Sequence, residues 1–363
     1  MTLSTTSRRL LGAAAVCGAT ALSLPAGASA AFGDAQILAP FPANPGFPEG
    51  VAVRDGKVYA AGAATFGTTA AGPSAVLAYD RASGAQTARY DTKGENLLAE
   101  HGGSSIAFDA GGKLYVLNTQ LGTLRLDPST GTQEQYTPPF ADLNPCLPPI
   151  VNPPCSPNPL PLPALPNDIA FGPDGSAYVS DSMQATIWRI PKGGGAPQIF
   201  FQDSRFNSPY IGVNGLRVSP DNTRIYVTVS VDALGQASLY SLPIGPAKPT
   251  AAQMKLEHRF AAGELPDGIA FGEHRDIYVS MASPTAPGVL VLRPDGSIKA
   301  QIKNPGLDLT SPFDGPANIA FDGAGRILMT NHAPVTGLVT KKFSIVDVDV
   351  DDKGWPLNTP VIP

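Results

Sequence analysis

Charge, histidine and cysteine are all scarce in this chain. Of its 363 residues only 15% are Asp, Glu, Lys or Arg, with 4 histidines and 3 cysteines, and the formal net charge is −5. Setting aside the first thirty residues removes Arg8 and Arg9 and no acid, so the balance moves to −7. That acidity excludes the basic surface a nucleic acid or an anionic membrane requires. Helical periodicity is absent too: no long stretch of it follows residue 30. Glycine and proline are plentiful instead, 38 of each, beside 43% hydrophobic residues. This is the composition of many short strands joined by tight turns. The chain is long for one domain, but closed all-β folds run long without splitting.

Residues 1–30 read as an export signal. Arg8-Arg9 precede an apolar run from Leu10 to Leu24, and Ala28-Ser29-Ala30 offers the small residues of a cleavage site. Ser7-Arg8-Arg9-Leu10-Leu11 partly matches a twin-arginine signal, with a general secretory signal as the alternative. The run is too short for a stable membrane span. The expected product is a secreted or extracytoplasmic protein cut near Ala30, with residues 31–363 as one domain. Two cysteines remain after cleavage, Cys146 and Cys155. In an exported protein they are expected to pair, and closing so short a loop contributes roughly 2–3 kcal/mol. They sit in a proline-rich excursion at about 138–166, which carries twelve prolines and is expected to be extended and semi-rigid.

Six register-matched copies of a short β-like run organise the rest. They are Pro48-Glu49-Gly50-Val51-Ala52-Val53, Gly103-Ser104-Ser105-Ile106-Ala107-Phe108, Pro166-Asn167-Asp168-Ile169-Ala170-Phe171, Val213-Asn214-Gly215-Leu216-Arg217-Val218, Pro266-Asp267-Gly268-Ile269-Ala270-Phe271 and Pro316-Ala317-Asn318-Ile319-Ala320-Phe321. Their second positions are separated by 55, 63, 47, 53 and 50 residues. Most are followed by a tight turn and a second strand. A strand array with that period predicts a six-bladed β-propeller, each period supplying one four-stranded blade. A strand from the segment after Phe32 is expected to close the sixth blade, which removes the free edge.

Equivalent positions of the innermost strands form a ring around the channel of a propeller. At the second position stand Glu49, Asn167, Asn214 and Asp267, two carboxylates and two amides without thiol or imidazole. Such hard oxygens suit calcium, magnesium or manganese and argue against copper. Turn chemistry explains any one of the four, since Asn and Asp before a strand bond nearby backbone. It does not explain why four agree in register.

The chain resembles the SMP-30/gluconolactonase/luciferin-regenerating-enzyme group, calcium-dependent six-bladed propellers that include sugar-lactone lactonases and are similar in architecture to paraoxonases. The resemblance covers nearly all of residues 31–363. It rests on Pro48-Glu49-Gly50, Pro166-Asn167-Asp168, Val213-Asn214-Gly215-Leu216 and Pro266-Asp267-Gly268. It implies that Glu49, Asn214 and Asp267 hold the metal, and that Asn167-Asp168 sits beside it, touching water or substrate. It also implies an activity, opening of a lactone or small ester, with Asp267 as both ligand and general base. Leu165 stands where sugar-lactone lactonases of the group commonly carry an arginine, and Ile169 replaces a glycine. The pocket is therefore expected to suit an apolar lactone or ester.

His101 and His332 are further candidates for the channel mouth, as substrate-binding residues. His258 and His274 read as surface residues. Asn118, Asp181 and Asn331 recur after second strands as turn caps. Ser104 lacks the Gly-x-Ser-x-Gly elbow of a nucleophile. Asp347-Val348-Asp349 opens like a calcium loop but lacks its required Gly and Glu, and reads as strand alternation. Two other readings stay open: a non-enzymatic propeller with structural calcium that binds a partner or small ligand, and a strictosidine-synthase-like or lyase-like propeller enzyme.

Overall fold

Each of the six repeat copies forms an innermost strand, and the turn after it brings the next strand back antiparallel. The computed structural model describes Met1 and residues 31–64, 68, 71–147, 154–245, 247–303, 310–333 and 342–363. The expected signal segment, Met1 apart, lies outside them. Residues Ala31–Pro363 form one unit, in which the described residues make six four-stranded sheets and no α-helix.

The first strand, β1 (Ala35–Pro40), stands apart from its neighbours in sequence. Blade one is β2 (Val51–Arg54), β3 (Lys57–Gly62), β4 (Ala75–Asp80) and β5 (Gln86–Asp91). Blade two is β6 (Gly103–Phe108), β7 (Leu114–Asn118), β8 (Gly122–Asp127) and β9 (Thr132–Gln135). Blade three is β10 (Pro166–Phe171), β11 (Ala177–Asp181), β12 (Thr186–Ile190) and β13 (Gln198–Gln202). Blade four is β14 (Val213–Val218), β15 (Arg224–Val229), β16 (Ser238–Pro243) and β17 (Lys255–Arg259). Blade five is β18 (Pro266–Phe271), β19 (Ile277–Met281), β20 (Gly288–Leu292) and β21 (Ile298–Lys303). Blade six is β22 (Pro316–Phe321), β23 (Arg326–Asn331) and β24 (Ser344–Asp349), completed by β1. Ala35 pairs with Val348, so the two ends of the chain share one sheet.

The core lies between blades. A tyrosine on the second strand of one blade meets the inner-strand phenylalanine of the next edge to face: Tyr59 with Phe108, Tyr115 with Phe171, Tyr226 with Phe271 and Tyr278 with Phe321, all at 5.0 to 5.2 Å. Each such pair contributes about 0.5–1.5 kcal/mol beyond the area it buries. The final Phe of the repeat is thus a blade-to-blade contact.

Outside the repeats, Cys146 and Cys155 form a disulfide, Cα to Cα 5.0 Å. Its excursion is seated on blade three: the Ser156 hydroxyl donates to the Gln184 carbonyl at 3.0 Å, and Asn158 Nδ2 donates to the Met183 and Ser208 carbonyls. Asn118, Asp181 and Asn331 are turn caps, each accepting backbone N–H bonds through Oδ1. Asp347 lies in β24, where Arg81 and Arg326 pair with it.

Candidate active site at one mouth of the channel

Five of the six inner strands break register between their first and fourth positions, as between Pro166 and Ile169, Val213 and Leu216, and Pro266 and Ile269. The second and third residues of the repeat occupy that irregularity. A bulge frees a side chain from strict alternation and re-aims it. Here it lets the second residue face the channel mouth while the third faces the channel interior.

Hydroxyl groups on second strands hold these bulges across blade boundaries. Ser180 donates to the Asn214 carbonyl, Thr228 to the Asp267 carbonyl at 2.7 Å, Ser280 to that of Ala317 and Thr330 to that of Glu49. The backbone of Glu49, Asn214 and Asp267 is therefore fixed by the blade before each. Blade-to-blade approach is close as well: a Cβ on Gly215 would stand 2.2 Å from the Asp267 carbonyl oxygen, and one on Gly50 2.5 Å from that of Ser104.

A pocket of about 210 Å³ opens at this mouth, and Glu49, Asn167, Asn214, Asp267 and His332 all line it. Its remaining wall is largely apolar, including Ala64, Leu165, Ile211 and Ala282. Glu49 is buried, and His332 Nδ1 lies 3.0 Å from its Oε2. Asn214 Nδ2 donates to the Ser230 hydroxyl at 2.9 Å, while its buried Oδ1 has no hydrogen-bond partner. Burial pushes the Asp267 carboxyl well above the usual carboxylate range, and the nearby Glu49 and Asp168 charges push the same way, against a smaller opposing effect of the Asn214 amide.

Among the described residues no group of three or more His, Cys, Asp or Glu stands placed to hold a metal. The ring contains only two carboxylates, and its other oxygens are amides. That donor set, with one buried amide oxygen left unpaired, fits a hard cation.

Asp168 points the other way. Its buried carboxylate accepts from Ser105 Oγ at 2.5 Å, Leu216 N at 2.7 Å, Arg217 Nη1 at 2.8 Å and Asn318 Nδ2 at 3.2 Å. Arg217 Nη2 in turn donates to Asn318 Oδ1 at 3.0 Å. A satisfied polar layer thus crosses the channel beneath the pocket. Sequence reasoning passed over Arg217, although the fifth repeat position is alanine in every other copy.

His101 is a correction. It was expected at the channel mouth, but it is buried at 1% exposure and does not line the pocket. Its Nδ1 and Nε2 lie 2.8 and 3.0 Å from the carbonyl oxygens of Ala99 and Gly72. Burial opposes the charge on this ring, but those carbonyls, with Glu95 and Glu100, prevail and raise its pKa. Ser104 lines the pocket with its hydroxyl engaged, donating to the Pro166 carbonyl at 2.7 Å. Of the remaining two histidines, His258 is half-buried on the outermost strand of blade four, its ring 2.8 Å from the Gly296 carbonyl.

Comparison with known proteins agrees with this architecture. Residues 164–330 match the family model of the SMP-30/Gluconolactonase/LRE-like region. No curated protein matches the chain in sequence. Among solved structures, a calcium-binding protein, regucalcin, from Agrobacterium tumefaciens is similar with a TM-score of 0.61 and 17% identity, over 92% of this chain and 98% of that one. A gluconolactonase from Xanthomonas campestris gives 0.56 and 17%, over 84% and 86%. A PQQ-bound aldose sugar dehydrogenase from Streptomyces coelicolor gives 0.58 and 12%, over 87% and 98%. Neighbours with such different names share the fold, and the fold alone assigns no chemistry. The family match spans blades three to five and the two inner strands of blade six, and over that stretch this six-bladed β-propeller is similar to the SMP-30/gluconolactonase/LRE-like region.

Proposed function

We propose that this chain is an exported, divalent-metal-dependent hydrolase that opens a lactone or small ester. The observation that carries the reading is the unpaired, buried Asn214 Oδ1 beside two carboxylates. An orphaned acceptor next to Glu49 and a carboxyl held high in pKa describes a site built for a cation. Glu49, Asn214 and Asp267 would hold it, with Asn167 at its side, and calcium is the expected ion, magnesium or manganese the alternatives. A bound cation there supplies a Lewis acid for the substrate carbonyl and lowers the pKa of nearby water.

The chain's own residues do the remainder. Asp267, deprotonated in the loaded site, takes a proton from the attacking water as oxygen bonds to the carbonyl carbon. When the ring C–O bond breaks, the same carboxyl returns the proton to the leaving oxygen, giving a hydroxy acid. Asn167 offers its amide to the substrate, and His332 orients Glu49 through their 3.0 Å contact. Leu165, Ile211 and Ala282 give the pocket an apolar wall, which favours a substrate with few hydroxyl groups. The disulfide agrees with an oxidising compartment, and the segment 1–30 supplies the route.

The test is a panel of aliphatic lactones and aryl esters assayed with calcium, then with chelator. Turnover that chelation abolishes and calcium restores supports the reading. No turnover across the panel in metal-loaded protein would leave a propeller with structural calcium.

A further inference from the structure

The opposite end of the channel holds a second cavity of about 640 Å³, on the far side of the Asp168–Arg217 layer from the pocket. Its bore is formed by the later positions of the inner strands. At the fifth position five copies carry a methyl group, Ala52, Ala107, Ala170, Ala270 and Ala320, and all five line the cavity. Arg217 breaks the series, but its guanidinium is committed to Asp168, Asn318 and the Leu216 carbonyl. Most of the charge at the rim is likewise engaged: Arg54 donates to the carbonyls of Asp109 and Ala110 and meets Asp55, and Arg81 pairs with Asp322, while Lys353 is exposed on the outer edge.

The C-terminal segment crosses this mouth as a strap. Asp352 anchors it, accepting from Tyr278 Oη at 3.1 Å and Glu273 N at 2.8 Å. Beyond the anchor, Trp355 N donates to the Phe271 carbonyl at 2.7 Å and Asn358 Nδ2 to the Phe171 carbonyl at 3.1 Å. Further on, Ala110 N donates to the Pro360 carbonyl at 3.0 Å. No residue of the strap is in helix or strand, and its Leu357 and Val361 are exposed.

Ordered water needs two to four polar partners, and a bore lined by methyl groups under a satisfied polar layer provides few. Its volume falls in the range of about 300–1,000 Å³ usual for small-molecule sites. We propose that this far chamber is a separate binding site for a neutral, largely apolar small molecule, admitted when the strap beyond Asp352 lifts. A charged ligand is disfavoured within the bore because Arg217, the charged side chain among its methyl groups, already has its partners, and the exposed Lys353 lies at the mouth.

The probe is N-phenyl-1-naphthylamine, a neutral fluorophore that brightens in apolar surroundings, titrated into the full mature protein with calcium or with chelator. Saturable one-to-one binding, indifferent to the cation, is expected. Ala170→Phe should weaken it at least tenfold by filling the bore, with Ala107→Phe as a second filling variant should the first not fold. Trp355→Ala, an exposed strap position, should speed probe dissociation. Absence of saturable binding means that water alone fills the chamber and overturns the proposal. Binding that survives both filling variants but responds to chelator places the probe in the opposite pocket and overturns it too. Either result leaves the hydrolase reading untouched, since that one is decided by turnover.

Discussion

Arg217 of blade four and Asp168 of blade three meet at 2.8 Å inside the channel, the carboxylate fully buried and the guanidinium nearly so. Breaking such a pair strands the surviving charge away from water, which typically costs about 3–5 kcal/mol. Arg217→Met is therefore expected to destabilise the protein by about that amount in denaturant unfolding. The double variant Arg217→Met with Asp168→Asn should recover part of the loss. If the single variant unfolds at the wild-type midpoint, the layer does not hold the channel together.

Removal of the cation should lower stability in a pH-dependent way. In metal-free protein the Asp267 carboxyl is pushed up by burial and by Glu49 and Asp168. A pKa raised in the folded state means the fold favours the protonated form. That contribution is whole below the unfolded carboxylate value, about 4, and is lost as pH rises through the raised value. Chelated protein should thus melt at progressively lower temperature as pH rises through that window, while calcium-loaded protein resists the change. At a calcium concentration a hundred times Kd the gain is about 2.7 kcal/mol. Melting curves with and without chelator, on protein verified as metal-free, decide the matter.

Within the ring, the two kinds of side chain should separate in function. Asp267→Asn keeps an oxygen and the side-chain shape but removes one charge and the base, so turnover is expected to fall by about 10²–10⁴ with some metal retained. Asn167→Ala should spare the metal and raise KM. Metal content and lactone turnover are measured on both. Wild-type turnover in Asp267→Asn ends the hydrolase reading.

His101 belongs to the scaffold, with both ring nitrogens on backbone carbonyls. Its pKa is raised, so its contribution is complete below the unfolded value of about 6.5 and fades as pH rises through the folded one. His101→Phe should cost about 1–3 kcal/mol at pH 6, narrowing at alkaline pH, with KM unchanged. A changed KM would return this residue to the pocket.

The inner strands were legible from sequence because their repeat marks both period and register. Glu49, Asn167, Asn214, Asp267 and His332 do gather at one mouth. Asp168 shows where the reading thins. Sequence position makes it the neighbour of Asn167, but a bulge decides which way each of two adjacent side chains turns, and a bulge leaves no periodic trace. His101 misled because glycines beside a histidine suggest an open loop, whereas Thr68 and the carbonyls of Gly72 and Ala99 bury it. The strap carried no signal at all. It has neither alternation nor helical spacing, and what holds it is backbone bonding to strand ends brought together only by the closed ring.

Sharing one sheet between β1 and β24 also fixes when the molecule can be finished. The earliest strand of the described chain finds its partner only after nearly every other residue has been made. Blades one to five need only local segments, so they can assemble while the ring is still open. Closure is then the step of highest contact order, and the one most exposed to a missing or nicked terminus. A clip between β1 and β2, near residue 44, would let β1 leave and free an edge on blade six in a protein whose other blades are intact, and that edge would be ready to pair with a second molecule.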